Sequence, residues 1–183
     1  MSQYRRDNTP GATWFFTVVT YKRQRFLCDE PVRLALRKAI METRKNWPFR
    51  IDSWVLLPDH LHCIWSLPEG DADFATRWNL IKRRTSKALK GSYYNDCLMT
   101  DSKTSRRELT FWQRRYWEHR IRDDRDFERH IDYIHYNPVK HGYSQAPSEW
   151  EYSSFHRYVR NGIYQANWAG CEKLRLSTGC EPE

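Results

Sequence analysis

The sequence predicts an α+β protein of the ferredoxin-like type: an antiparallel sheet with two helices on one face, followed by a further helix and a tail. Three observations carry that prediction. Apolar residues recur at every second position in some stretches and at every third or fourth in others, the periods of strand and helix. Those stretches follow one another as strand, helix, strand, strand, helix, strand and helix, which is the split-βαβ order. At 183 residues the chain has room for one sizeable core.

Residues 14–21 are aromatic and β-branched and read as a first strand, central or well covered. Asp29 and Pro31 mark a helix start. Val32, Leu36, Ala39, Ile40, Thr43 and Trp47 then form one apolar stripe, predicting a helix over 30–46. Residues 49–57 and 60–67 make two strands around the tight corner Pro58-Asp59, a hairpin. Phe74, Trp78, Ile81, Thr85 and Ala88 define a second amphipathic helix, whose other face carries Lys82, Arg83, Arg84 and Lys87. Residues 91–110 are polar, turn-rich and aperiodic and read as a mobile loop, while 111–121 alternate aromatic with basic residues as a fourth strand. Asp123 or Asp124 caps a third helix that runs to Tyr136 and is ended by Pro138. One domain is expected over 1–145, with a tail, 146–183, that packs over it or touches a ligand.

The 31 Lys and Arg against 23 Asp and Glu give a net charge of +8, which favours polyanionic partners. Nine Trp, eleven Tyr and eight Phe accompany that charge and suit stacking on unpaired bases. The side chains expected to meet nucleic acid are Arg5, Arg6, Lys82, Arg83, Arg84, Lys87, Arg114, Arg115 and Arg120. No apolar run approaches the roughly 20 residues that span a membrane, and no apolar segment follows the basic N-terminus, so a cytoplasmic protein without a membrane partner is expected. Five cysteines with no C-x-x-C spacing suggest reduced thiols rather than a disulfide framework or a structural zinc site.

The chemistry is concentrated in His60-Leu61-His62. On a strand both imidazoles project to one face, while Leu61, Cys63 and Trp65 project to the other, and two adjacent histidines can clamp a divalent metal. Tyr133 and Asn137 lie four residues apart and share a helix face, which could bring a nucleophile and a carbonyl oxygen to the same ion. The mixed nitrogen and oxygen donors suit Mg²⁺ or Mn²⁺. A metal beside a phenol is the minimum apparatus for cutting a phosphodiester through a covalent intermediate. Tyr136 and Tyr116 are the next candidates for the nucleophile, and His130, His135 and His141 offer other ligands.

Four stretches, 11–18, 54–65 (Trp-Val-Leu-Leu-Pro-Asp-His-Leu-His-Cys-Ile-Trp), 111–119 and 130–142 (His-Ile-Asp-Tyr-Ile-His-Tyr-Asn-Pro-Val-Lys-His-Gly), resemble the HUH single-strand transposase superfamily. The likeness is nearest to its REP-associated tyrosine transposases and, with Trp168-Ala169-Gly170, covers most of the chain. It implies that His60, His62 and Asn137 bind the metal and that Tyr133 attacks DNA to give a 5′-phosphotyrosine and a free 3′-hydroxyl. It implies as substrates the repetitive extragenic palindromes (REPs), folded as single-stranded hairpins beside a short tetranucleotide. The insertion-sequence relatives carry glutamine where this chain has Asn137, which favours the REP-associated branch. A hairpin-binding protein that does not cleave is the alternative, and monomer and homodimer both stay open.

Overall fold

The computed structural model describes residues 8–168. Its strands are β1 (Thr13–Val19), β2 (Arg50–Leu56), β3 (His60–Ser66) and β4 (Trp117–Arg120). They form one antiparallel sheet in the order β2-β3-β1-β4, the order of a ferredoxin-like sheet. Helices α1 (Glu30–Asn46) and α2 (Phe74–Ala88) pack on one face, where Trp14, Phe16, Val18, Leu61, Cys63 and Trp65 interleave with Leu36, Ile40, Trp78 and Ile81. Helix α5 (Asp124–Lys140) covers the other face, meeting Phe15, Val55 and Ile64 through Ile131 and Ile134. Strand β3 is therefore buried on both sides, and its alternation sorts Leu61, Cys63 and Trp65 from His60, His62 and Ile64.

Three elements differ from the sequence prediction. The stretch 91–110 holds two short helices, α3 (Lys90–Tyr93) and α4 (Asp101–Ser105), with a 3₁₀ turn, 96–98, between them. Asn95 caps the backbone N–H of Cys97, and Thr100 caps that of Lys103. Local capping rather than an apolar stripe makes these turns, so periodicity could not reveal them. The fourth strand is short. Between the bridge Thr20–Trp112 and the pair Thr17–Trp117, the segment 112–117 advances two residues more than β1, and this excess breaks the ladder. Pro138 does not end α5, which runs on to Lys140. The terminator is Gly142 at φ +71°, with Tyr143 N–H donating to the Pro138 carbonyl at 2.9 Å, a Schellman-type close.

Residues 152–154 cover the outer edge of β2: Leu56 N–H donates to the Tyr152 carbonyl and Ser154 N–H to the Trp54 carbonyl, each at 2.8 Å. A bulge at Asp52 leaves that residue's carbonyl to accept from the Tyr158 hydroxyl at 3.0 Å, which docks α6 (Phe155–Arg160). Among the described residues no helix is long and apolar enough to cross a membrane, and Cys28, Cys63 and Cys97 are free thiols.

Under α6, His135 is fully buried, with Nε2 hydrogen-bonded to Ser154 at 2.9 Å and Ser53 at 3.2 Å. Burial, then repulsion from Arg157 and His156, lowers its pKa from 6.5 to about 3. Below pH 6.5 the unfolded chain therefore takes up a proton that the folded chain refuses, so stability falls with falling pH through that window. In urea melts the wild type is expected to lose about 2 kcal/mol from this group between pH 7 and pH 5. His135→Gln should lose correspondingly less over the same interval, and parallel pH profiles would contradict the assignment.

Candidate metal and nucleophile site

The site lies where β1, β3 and α5 meet, and the register of the sheet builds its floor. Thr17 stands opposite His62, and its Oγ1 lies 2.9 Å from His62 Nδ1. His60 Nδ1 lies 2.7 Å from Asp59 Oδ1 at the β2–β3 corner. Both rings are thus held through Nδ1, which leaves Nε2 of each as the nitrogen that could ligate a cation when Nδ1 donates. The two imidazoles sit edge to face with centroids 4.9 Å apart.

The electrostatics of the site keep the His62 imidazole neutral. His62 is completely buried, and desolvation, with repulsion from His60 and His141, holds its pKa well below 6.5. Burial pushes the Asp59 carboxyl up, but the hydrogen bonds from His60 and Arg23 outweigh it and set its pKa at about 2. Arg23 reaches Asp59 Oδ2 at 3.2 Å from a left-handed backbone position, φ +51°.

Helix α5 supplies the roof. Tyr133 packs edge-on against His62 at 5.2 Å and against Phe15 at 6.0 Å, and His141 packs edge-on against His60 at 5.1 Å. Residues 133, 137 and 141 lie on one helical row, so Asn137 falls between two residues that both touch the histidine pair. It is fully buried, and neither its Oδ1 nor its Nδ2 has a hydrogen-bond partner among the described residues. A buried amide so placed is costly without a ligand and fits an oxygen donor to a cation. Lys140 completes the roof, its Nζ 3.5 Å from the Tyr133 hydroxyl and 4.9 Å from the ring centroid.

The structure thus gathers His60, His62, Tyr133 and Asn137. Of the basic residues singled out in the sequence, Lys82, Arg83, Lys87 and Arg114 line a cleft beside α2 on the other face of the sheet. Arg84 does not join them: it donates to Thr43 Oγ1 at 2.6 Å and approaches Glu42 at 3.8 Å, tying α2 to α1. Arg115 and Arg120 are exposed, and Arg5 and Arg6 fall outside the described residues. Thr17, Asp59 and Lys140 make contacts with the group of His60, His62 and Tyr133 that the sequence alone does not reveal. In the sequence Asp59 marks only a corner, and Lys140 joins the Tyr133 stripe only when α5 continues through Pro138.

A second cluster, His119, Asp126 and His130, holds its donor atoms within 4.8 Å of one another. Asp126 Oδ2 already accepts from His119 Nε2 at 2.8 Å, from Arg122 Nε at 3.0 Å and from Arg122 N–H at 3.1 Å. Burial raises the Asp126 carboxyl, but these donors outweigh it and hold it far below the usual range. The cluster is a hydrogen-bonded lock between β4 and the first turn of α5, with Arg122 as the ion-pair partner of Asp126.

The family described as Transposase IS200 like matches residues 12–137 of this chain. The REP-associated tyrosine transposase of Escherichia coli (strain K12) is 44% identical over 170 residues, covering 93% of this chain and 92% of that protein. A solved structure of a REP-associated tyrosine transposase bound to a REP hairpin superposes with a TM-score of 0.77 at 43% identity, covering 93% of each chain. On these matches, and on a fold that meets them over nearly its whole length, this chain belongs to the IS200-like transposase family.

Proposed function

We propose that the chain cuts and rejoins single-stranded DNA beside REP hairpins, using Tyr133 as the nucleophile. The observation that carries this reading is the row Tyr133, Asn137 and His141 standing over the paired histidines, in a chain whose relative is named for REP sequences. Tyr133 Oη attacks phosphorus and gives up its proton to solvent. The P–O3′ bond breaks, the 5′-phosphate stays on the tyrosine, and the departing 3′-oxygen takes a proton from water. Reversal by the same or another 3′-hydroxyl rejoins a strand.

His60, His62 and Asn137 would hold a divalent ion, Mg²⁺ or Mn²⁺, which when bound supplies Lewis-acid stabilisation of charge on the phosphate. Asp59 and Thr17 fix the orientation of the imidazoles. Phe15 and His62 hold the tyrosine ring at a set angle, and Lys140 places a positive charge beside its oxygen, where negative charge must gather. Lys82, Arg83, Lys87, Arg114, Arg115 and Arg120 would meet DNA phosphates. We place the reaction in the cytoplasm, carried out by a monomer or a homodimer.

The test is a denaturing gel after incubation with a 5′-tailed REP hairpin and Mn²⁺ or Mg²⁺. A protein–DNA adduct is expected with the wild type, abolished by EDTA and by His62→Ala. Tight hairpin binding without adduct under both metals would replace the nuclease by the non-cleaving binder.

A further inference from the structure

The cluster of His119, Asp126 and His130 shares no residue with the histidine pair under Tyr133, although the Phe15 ring packs against both, 4.8 Å from the His130 centroid and 5.5 Å from that of His62. The His119 and His130 rings stack on each other with centroids 4.7 Å apart and planes 16° from parallel. The Asp126 carboxylate faces both, with Oδ2 2.8 Å from His119 Nε2 and Oδ1 3.4 Å from His130 Nδ1. Every donor stands on a regular element. His119 is fixed on β4 by its pairing with Phe15, and Asp126 and His130 lie four residues apart on α5, the spacing at which two helical side chains chelate one ion.

Two imidazoles and one carboxylate are a donor set for ions of the zinc class, with a fourth position left for water. Burial lowers the pKa of His130, so that ring is neutral, as a ligand must be. A tetrahedral ion holds such donors roughly 3.4 Å apart. Here they lie within 4.8 Å of one another, so side-chain shifts of about an ångström close the set. The His119 and His130 side chains keep 25% and 15% of their exposure, which opens the cluster to an entering ion. The group in the way is the Arg122 guanidinium, with Nε 3.0 Å from Asp126 Oδ2. Its side chain is 63% exposed and can swing into water, while its backbone N–H goes on donating to the carboxylate.

We propose that His119, Asp126 and His130 form a second metal site, for a divalent ion of the zinc class, which clamps β4 to α5. The clamp closes one turn before Tyr133, so an occupied site stiffens the helix that carries the phenol. Metal binding here is independent of the DNA reading and is tested without DNA.

The experiment titrates the full chain with Co²⁺, read by its visible d–d absorption, and then with Zn²⁺ in competition. The wild type is expected to bind one equivalent more than His119→Gln and than His130→Gln, without a thiolate charge-transfer band, and His62→Ala should keep the equivalent that those two lose. Glutamine retains an N–H donor for this region, and melts of the metal-free variants report whether the fold persists. Zn²⁺ at about 100 times its Kd should raise the wild-type Tm by roughly 5–10 °C and raise that of the two glutamine variants by less. Arg122→Ala separates a site from a lock. Losing the ion-pair partner of Asp126 should lower the metal-free Tm, yet removing the competing cation should tighten Co²⁺ binding about 3- to 10-fold. Equal stoichiometry in the wild type and both glutamine variants, or Co²⁺ affinity unchanged or weaker in Arg122→Ala, would overturn the site and leave the hydrogen-bonded lock alone.

Discussion

Tyr133→Phe is expected to lower covalent adduct formation on a tailed REP hairpin by at least about 10³-fold while leaving hairpin affinity within about twofold. The substitution deletes one hydroxyl and keeps the ring, so the packing against Phe15 and His62 that seats this part of α5 persists. The loss is chemical rather than structural, because no neighbouring phenol can substitute. Tyr136 stands off the 133–137–141 row, roughly 60° round the helix from Tyr133 and about 100° from Asn137, and the Tyr116 ring belongs to the cluster on the other face of the sheet. The measurement is a denaturing gel for the adduct beside an equilibrium titration of the same DNA. An adduct that survives in the variant would move the nucleophile elsewhere, and a large loss of affinity would assign the hydroxyl to binding.

Arg77→Ala is expected to destabilise the fold by about 3–5 kcal/mol, among the largest effects open to a single substitution. The Arg77 guanidinium is fully buried and meets Asp71 bidentately at 2.6 and 3.0 Å. It also donates to the carbonyls of Pro48 at 2.7 Å and Asp73 at 2.8 Å, so one side chain joins the entry to β2 with the first turn of α2. Its hydrogen bonds hold the Asp71 carboxyl below its ordinary range. Truncation leaves that carboxylate and the Pro48 carbonyl without their donor, which is costlier than never having formed the pair. Urea denaturation at pH 7 measures the difference, and a loss under about 1 kcal/mol would show that water replaces the guanidinium without penalty.

Elements governed by a long apolar stripe or a β-branched run are legible in the sequence. The stripe from Val32 to Thr43 marks α1, and Phe74 to Ala88 marks α2, each with the predicted bounds. The elements that differ from the prediction depend on contacts remote in sequence. The alternation of residues 111–121 is genuine, but pairing with β1 holds only at Trp117–Arg120 and at the single bridge of Trp112. Pro138 is an ordinary helix stop by local rules, yet α5 absorbs it because the turn beyond is closed through Gly142 and Tyr143. At the site, residue types and spacing point to His60, His62, Tyr133 and Asn137. Thr17 cannot be found that way, since its link to His62 exists only in the β1–β3 register.

That register also acts as a check on the folding of the chain. Strand β3 is buried on both faces, with imidazoles at one parity and Leu61, Cys63 and Trp65 at the other. A slip of one residue would turn the histidines into the cluster of Trp14, Phe16 and Trp78 and send Trp65 towards α5. The same error would empty the ligand site and spoil the larger core together. A molecule with its histidines aligned under Tyr133 has therefore already passed the test of correct strand pairing, so misfolded copies are silent rather than wrongly active.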